Sequence, residues 1–370
     1  MSLGLGILGC GSVFAGPYAT MIDRLAARGR VHVSAVYDVD ERKRHGAAAR
    51  YQVDPSLTGP DALIRRDDVD IVLVLTSMVP HGELTRAALE AGKHVLVEKP
   101  VATALADAAA LVELSHTSPG HLICAPHIVL SPTFRAIHDA VRAGDIGDLL
   151  TARARYGWAG PWWGDWFYEP GGGSLFDLGV YNVTTLCALF GPARRVTAMV
   201  GTAIPTREVN GREVEVRADD NAHVLLDFGD SRFAAVTTGF TMQKYRSPAV
   251  ELYGSQGTIQ LLGDDWAPEG WELWRNDERC WRLNPETDPH WQWTDGLRHL
   301  VDCVETGATP VTRPEHAFHA LEIMLAAQAA GADGYARQIT SDFPAVVFDQ
   351  SLLEAEEAHR EHDRRSHSGL

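Results

Sequence analysis

Cysteine is scarce and unpaired in this chain. There are only five, Cys10, Cys124, Cys187, Cys280 and Cys303, and no two stand at C-x-x-C spacing. That excludes a disulfide framework and a zinc site of the usual ligand spacing, and predicts small buried hydrophobes in a reducing compartment. No apolar run is long enough to span a bilayer. Basic charge is also in short supply: 33 Lys and Arg stand against 49 Asp and Glu, a net charge of −16. Nucleic acid and anionic membranes both need a basic footprint, so neither is expected as a partner. There are no internal repeats and no low-complexity linker. The first residues, MSLGLGILGCG, lack a basic leader region and run directly into a strand pattern, which predicts no signal peptide and a cytoplasmic location.

At 370 residues the chain exceeds what one hydrophobic core usually serves, so two domains are expected. Their textures differ. In residues 1–125, apolar runs (Leu3–Leu8, Val31–Tyr37, Val69–Leu75, His94–Val97, Leu122–Ala125) alternate with helical patterns (Tyr18–Arg28, Glu41–Tyr51, Gly82–Ala91, Leu105–Ser115). Several runs lack strict alternation, as strands buried on both faces do, and this predicts a doubly wound parallel sheet. In residues 126–370, a helical stretch Thr133–Ala143 leads to a strand-like run Leu150–Tyr156. Alternating segments follow at Arg195–Gly201, Asn221–Phe228, Arg232–Gly239, Ala249–Tyr253, Thr258–Leu262 and Glu272–Arg275. Turn signals between them predict a mostly antiparallel sheet, with 205–219 as a loop or hairpin. The helices Asp295–Thr306 and Pro314–Ala330 should pack on that sheet, and the charged tail from Glu354 should be a solvated helix end with a frayed terminus. The fold class is therefore α/β plus α+β.

Three stretches carry chemistry. Gly9-Cys10-Gly11-Ser12 follows the first strand and opens the first helix, where glycines let the backbone meet a pyrophosphate at a helix N-terminus. The third glycine of that fingerprint is missing; Phe14 stands there, so helix–strand packing must differ locally. Asp38 ends the second strand, 27 residues after Gly11, where a carboxylate accepts from ribose hydroxyls and repels a 2′-phosphate. This favours NAD, with NADP possible because Arg42 and Lys43 follow. The strand HVLV then delivers Glu98-Lys99-Pro100 to the ligand-binding edge of the sheet, with Pro100 restricting Lys99 to extended geometry. Third, GGGSLFDLGVYN at 171–182 puts Asp177 and Tyr181 four apart, on one face of a helix that follows a run without side chains.

In these motifs the chain resembles the glucose–fructose oxidoreductase, inositol dehydrogenase and rhizopine-catabolism family of NAD(P)-dependent oxidoreductases. The matching residues are Gly9–Gly11, Asp38, the Thr76 to His81 segment, AGKHVLVEKP at 91–100, Pro132 with GDIG at 144–147, GGGSLFDLGVYN, ELYGSQGTIQ at 251–260 and HLVDCVETG at 299–307. The resemblance implies an N-terminal Rossmann domain followed by an α/β domain on a large, open, mostly antiparallel sheet, and dimers or tetramers built through that sheet. It implies a catalytic trio, Lys99, Asp177 and Tyr181. The fingerprint and the resemblance together assign cofactor contacts to Gly9, Gly11, Ser12, Val13, Asp38, Thr76, His81, Glu98 and Lys99. Many members carry His where this chain has Tyr181. The Arg that often stands three before the family proline is absent, and Val129 replaces it.

Oxidising a carbinol needs a hydride acceptor and a group to take the hydroxyl proton. A free tyrosine, pKa ~10, is a poor base at neutral pH. The ammonium of Lys99 is expected to lower it, which leaves Tyr181 or Lys99 as proton carrier and Asp177 as the orienter. Trp163 and Trp166, in a cluster with Trp158 and Trp162, are candidates for stacking on a sugar ring, and His127 for a place beside the cleft. The reading is an NAD(P)-dependent dehydrogenase or reductase of a sugar, polyol or related carbinol. The alternatives are NAD-driven glycoside cleavage through transient oxidation, and a non-catalytic dinucleotide sensor. No metal is called for.

Overall fold

A computed structural model describes residues 2–368, with side chains described as far as 360. The apolar runs of the first half become five strands: β1 (Leu3–Leu8), β2 (Val31–Tyr37), β3 (Ile71–Val74), β4 (His94–Val97) and β5 (Leu122–Cys124). They pair in parallel in the order β2-β1-β3-β4-β5. The order reverses beside β1, and ligands bind in open α/β sheets at such a switch point. The missing fingerprint glycine leaves a visible mark. Phe14 is buried, and residues Phe14–Tyr18 form a π-turn before the helix Ala19–Ala27. Pro17 inside that turn has no N–H to give to a tighter helix.

The second half adds β6 (Leu149–Gly157), β7 (Arg195–Gly201), a separate hairpin of β8 (Thr206–Val209) and β9 (Arg212–Glu215), and β10 (Asn221–Asp227), β11 (Phe233–Gly239), β12 (Val250–Gly254), β13 (Gly257–Asp264), β14 (Ala267–Arg275), β15 (Cys280–Pro285) and β16 (Arg337–Gln338). Nine of these form one sheet, β15-β14-β13-β12-β6-β11-β10-β7-β16. It is antiparallel throughout except for the β6/β11 pair. Strand residues that face the helices are buried, for example Ala152 and Ala154 of β6, and their neighbours in sequence are open to solvent. The edge strands β15 and β16 were not legible in sequence, since neither alternates clearly.

Two expectations about the end of the chain need correction. The helix Gly296–Thr306 does not pack on the large sheet. Leu297, Leu300 and Val301 join Leu5, Ile7, Leu73 and Leu96 in the core of the first domain, covering a parallel-sheet face that would otherwise be exposed. Nor is the tail solvated on every side where its side chains are described. In the helix Gln350–Ser368, Leu352 and Glu356 are buried, and Glu356 takes ion pairs from Arg135, Arg298 and Arg360. Glu354 and Glu357 on the same helix stay exposed, and the side chains beyond 360 lie outside those described. Of the frayed terminus, residues 369 and 370 lie outside the described residues. No helix among the described residues is long and apolar enough to cross a membrane.

Candidate active site

The turn after β1 is built for close approach. Gly9 has φ +97°, and a Cβ there would lie 2.6 Å from the Leu75 carbonyl, so only glycine fits. Gly11 has open space where its Cβ would be, and Ser12 and Val13 begin the helix, whose first N–H groups have no partner within the helix itself. Asp38 accepts from the Cys10 N–H at 2.7 Å through Oδ2 and from the Asp40 N–H at 2.8 Å through Oδ1. It is half-buried at the end of β2 and tied to the glycine turn. Arg42 and Lys43 are exposed on the next helix. This cradle fits a dinucleotide: space at Gly11, helix amides, and a carboxylate at the second strand.

Three other residues expected to meet the cofactor have structural partners. Thr76 is half-buried, its hydroxyl bonded to the Ser77 carbonyl at 3.0 Å. The buried His81 ring has Nδ1 2.7 Å from the Pro100 carbonyl and Nε2 3.2 Å from the Thr76 carbonyl; burial holds it below the usual histidine range, and the single N–H of the neutral ring donates to one of the two. It braces the two loops that flank the cleft. Glu98 is turned inward, accepting from the Tyr18 hydroxyl at 2.8 Å and from the Lys99 N–H at 3.2 Å, and burial pushes its carboxyl up. Glu98 therefore positions Lys99 from behind. Tyr18 was missed in sequence, because only the fold brings it to a residue 80 positions away.

From the second domain comes the Gly-rich segment. Asp219 explains how a helix can begin there. It accepts from the Ser174 hydroxyl and the Leu175 N–H, both at 2.8 Å, and so caps the turn Leu175–Gly179. A Cβ on Gly173, where φ is +99°, would strike the Asp219 carboxylate at 2.4 Å. No local signal marks Asp219, which stands 45 residues downstream. The turn is a π-turn that passes into the α-helix Val180–Phe190.

Lys99, Asp177 and Tyr181 come together. Lys99 Nζ donates to Asp177 Oδ1 at 2.6 Å and to the Asp177 carbonyl at 2.8 Å, with both side chains only slightly exposed. The same ammonium lies 5.5 Å from the centre of the Tyr181 ring. One expectation is reversed here. Burial, reinforced by Tyr156, Glu98, Asp177 and Asp265, pushes the Tyr181 phenol well above its ordinary value. The Lys99 charge faces the ring and is engaged by Asp177, so it is not spent on a phenolate. Behind Tyr181, the Tyr156 ring stands edge-on at 5.5 Å. Asp265 is buried beside them, accepting from Asn182 Nδ2 at 2.8 Å, and burial pushes its carboxyl up to about 7.

His127 does not open on the cleft. It is 1% exposed, with its ring against Gly296 at the start of the helix that covers the first domain, and burial lowers it to about 4. Trp163 and Trp166 are 40% and 37% exposed in the loop after β6. Among the described residues, no group of His, Cys, Asp and Glu is arranged to hold a metal ion.

A parallel sheet with a glycine turn after its first strand, and a lysine beyond its fourth strand paired with an aspartate of the second domain, is the arrangement of a dinucleotide-dependent oxidoreductase. Comparison with known proteins gives the family. Residues 3–123 match the model of the oxidoreductase family's NAD-binding Rossmann fold, and residues 134–260 match the GFO/IDH/MocA C-terminal domain. The chain belongs to the GFO/IDH/MocA family of oxidoreductases. It is 32% identical to a dTDP-3,4-didehydro-2,6-dideoxy-alpha-D-glucose 3-reductase of Saccharopolyspora spinosa, over 72% of this chain and 77% of that one. It is 26% identical to the trans-1,2-dihydrobenzene-1,2-diol dehydrogenase of Oryctolagus cuniculus, over 80% and 88%. Levoglucosan dehydrogenase, solved with NADH and levoglucosan, shares the fold at a TM-score of 0.81 and 18% identity, over 92% of this chain and all of that one.

Proposed function

We propose that this enzyme moves a hydride between NAD(H) and a carbinol or carbonyl carbon of a sugar, polyol or related diol, with Lys99 carrying the proton. The observation that supports this most strongly is the Lys99 ammonium, seated 2.6 Å from Asp177 where the two domains meet. Bound NAD supplies the hydride acceptor, and its reduced form the donor. Gly9, Gly11, Ser12, Val13 and Thr76 hold the dinucleotide, and Asp38 selects NAD over NADP by meeting the ribose hydroxyls. As the neutral amine Lys99 takes the hydroxyl proton in oxidation and becomes the ammonium, and as the ammonium it gives a proton to the carbonyl oxygen in reduction. Asp177 keeps the lysine aimed, and its carbonyl holds a second ammonium proton. Tyr181 keeps its own proton, so its hydroxyl donates a hydrogen bond to the reacting oxygen. Both named relatives act, by their names, on carbinol or carbonyl carbons.

The open face of the large sheet carries Met199, Leu225 and Phe233, which are 81%, 56% and 46% exposed. An apolar face of this kind suits a homodimer or homotetramer, which light scattering at micromolar concentration tests. We take the enzyme to be cytoplasmic. A panel of sugars, inositols and vicinal diols, assayed with NAD and with NADP by nicotinamide absorbance, tests the function. NAD-linked turnover of a neutral carbinol is expected; no turnover of any of them with either cofactor contradicts it.

A further inference from the structure

Aromatic rings continue outward from the reacting position. Tyr156 faces Tyr181, and Trp158, just past the end of β6, packs with Tyr156 against the cluster that holds Phe167, Tyr168 and Leu178, the neighbour of Asp177. Trp158 stacks on Trp163 at 5.5 Å with 20° between planes, and Trp162 meets Trp163 edge-on at 5.6 Å. Trp162 is 65% exposed. The loop that carries them is anchored at the site: the Gly173 N–H donates to the Phe167 carbonyl at 2.8 Å, a few residues before Asp177. Its far side is fixed by the β8–β9 hairpin, where Asn210 donates to the Trp162 and Trp163 carbonyls. Asp165 and Arg212, paired at 3.3 Å and both more than half exposed, edge the platform with an acceptor and a donor. Large indoles held open to water on a pinned loop are costly unless something flat and partly apolar covers them.

We infer that the Trp158–Trp166 loop is a second-ring subsite, which stacks the distal ring of an uncharged glycoside while its proximal ring reacts beside Lys99. This rests on the carbinol reading above and names its substrate class. A sugar ring offers an apolar C–H face to an indole and hydroxyls to the Asp165–Arg212 rim. The charge of the loop and hairpin argues against a diphosphate at this subsite. The arginines of the loop and hairpin are matched already: Arg207 by Asp220, Arg212 by Asp165, and Arg217 by Glu169 and Glu215. On the hairpin Glu208 stands directly across from Glu213, adding unbalanced negative charge. A diphosphate asks for the reverse, unpaired guanidinium or ammonium groups.

The test is calorimetric titration of the NAD-loaded full chain with methyl β-D-glucoside, cellobiose, maltose, lactose and UDP-glucose. At least one disaccharide is expected to bind about tenfold tighter than the methyl glycoside, the scale of one ring-stacking contact. Trp162→Ala and Trp163→Ala should each remove most of that advantage, and Trp163→Phe should keep most of it, with NAD affinity and circular dichroism unchanged. Disaccharides that bind no tighter than the methyl glycoside, no binding by any of these sugars, an advantage that survives both alanine variants, or UDP-glucose as the tightest ligand would each overturn the subsite. NAD-linked turnover of simple polyols alongside such a result would leave the oxidoreductase reading standing, so the two failures are distinguishable.

Discussion

Replacing Asp177 with asparagine separates charge from position at the centre of the site. Lys99 Nζ has two acceptors on this residue, Oδ1 at 2.6 Å and the backbone carbonyl at 2.8 Å. An amide oxygen can stand where Oδ1 stands, and the backbone acceptor is untouched, so the lysine keeps its place and loses only the neighbouring negative charge. The carboxylate–ammonium contact at 2.6 Å is a charge-assisted hydrogen bond, and an amide oxygen in its place leaves one about half as strong. The difference is about 1.4 kcal/mol, or about tenfold in a rate that depends on how the lysine is aimed. Turnover in both directions should therefore fall by about tenfold with KM little changed. The assay is kcat and KM in both directions, with the melting temperature of each protein as a check on folding. Turnover at the parent level, in a folded Asp177→Asn protein, would refute the role of Asp177 in aiming Lys99.

Tyr181→Phe keeps the ring against which Lys99 lies; turnover should fall by about tenfold, the worth of one hydrogen bond to the reacting oxygen, and a fall as deep as that of a lysine variant would make Tyr181 the carrier. Asp38→Asn keeps an acceptor for the Cys10 N–H but loses the charge, so the ratio of NADP to NAD dissociation constants should narrow by about tenfold or more, measured by calorimetry; an unchanged ratio removes Asp38 from cofactor choice. Asp265 is a carboxyl whose folded-state pKa, about 7, lies above its unfolded value. The folded protein thus holds a proton that the unfolded chain releases, and stability contributed by that proton is lost as pH rises toward 7. Thermal melts should show Asp265→Asn gaining on the parent between acid and neutral pH; parallel curves would show that the group is not protonated when folded.

Which parts of this site could be read in advance follows from the range of the forces involved. The Gly9–Gly11 turn, Asp38 at the end of β2 and Lys99 at the end of β4 are set by short-range backbone rules, and strand–helix alternation places them without help from the rest of the chain. Asp177 and Tyr181 share a helix turn, so spacing alone put them together. What escaped depends on long-range contact. The Asp219 cap, the Tyr18 hydroxyl on Glu98 and the Asn182–Asp265 pair join segments that no local pattern connects. The ionisation of Tyr181 was misjudged for the same reason, since burial beside Tyr156 outweighs a lysine that faces the ring. The helix Gly296–Thr306 had a clear amphipathic pattern, but a pattern says which face is apolar and not which sheet it will cover.

The central claim is that Lys99 carries the proton, and substitution of that lysine tests it most directly. Lys99→Met keeps the apolar stem and loses the ammonium; Lys99→Arg keeps a cation beside Asp177 but one that does not give up its proton. Turnover of the best carbinol in the oxidation direction should fall by about 10²–10⁴ in both variants, while NAD affinity, held mainly by the first domain, stays at the parent value. Turnover near the parent level in either variant, with NAD bound normally, would contradict the account.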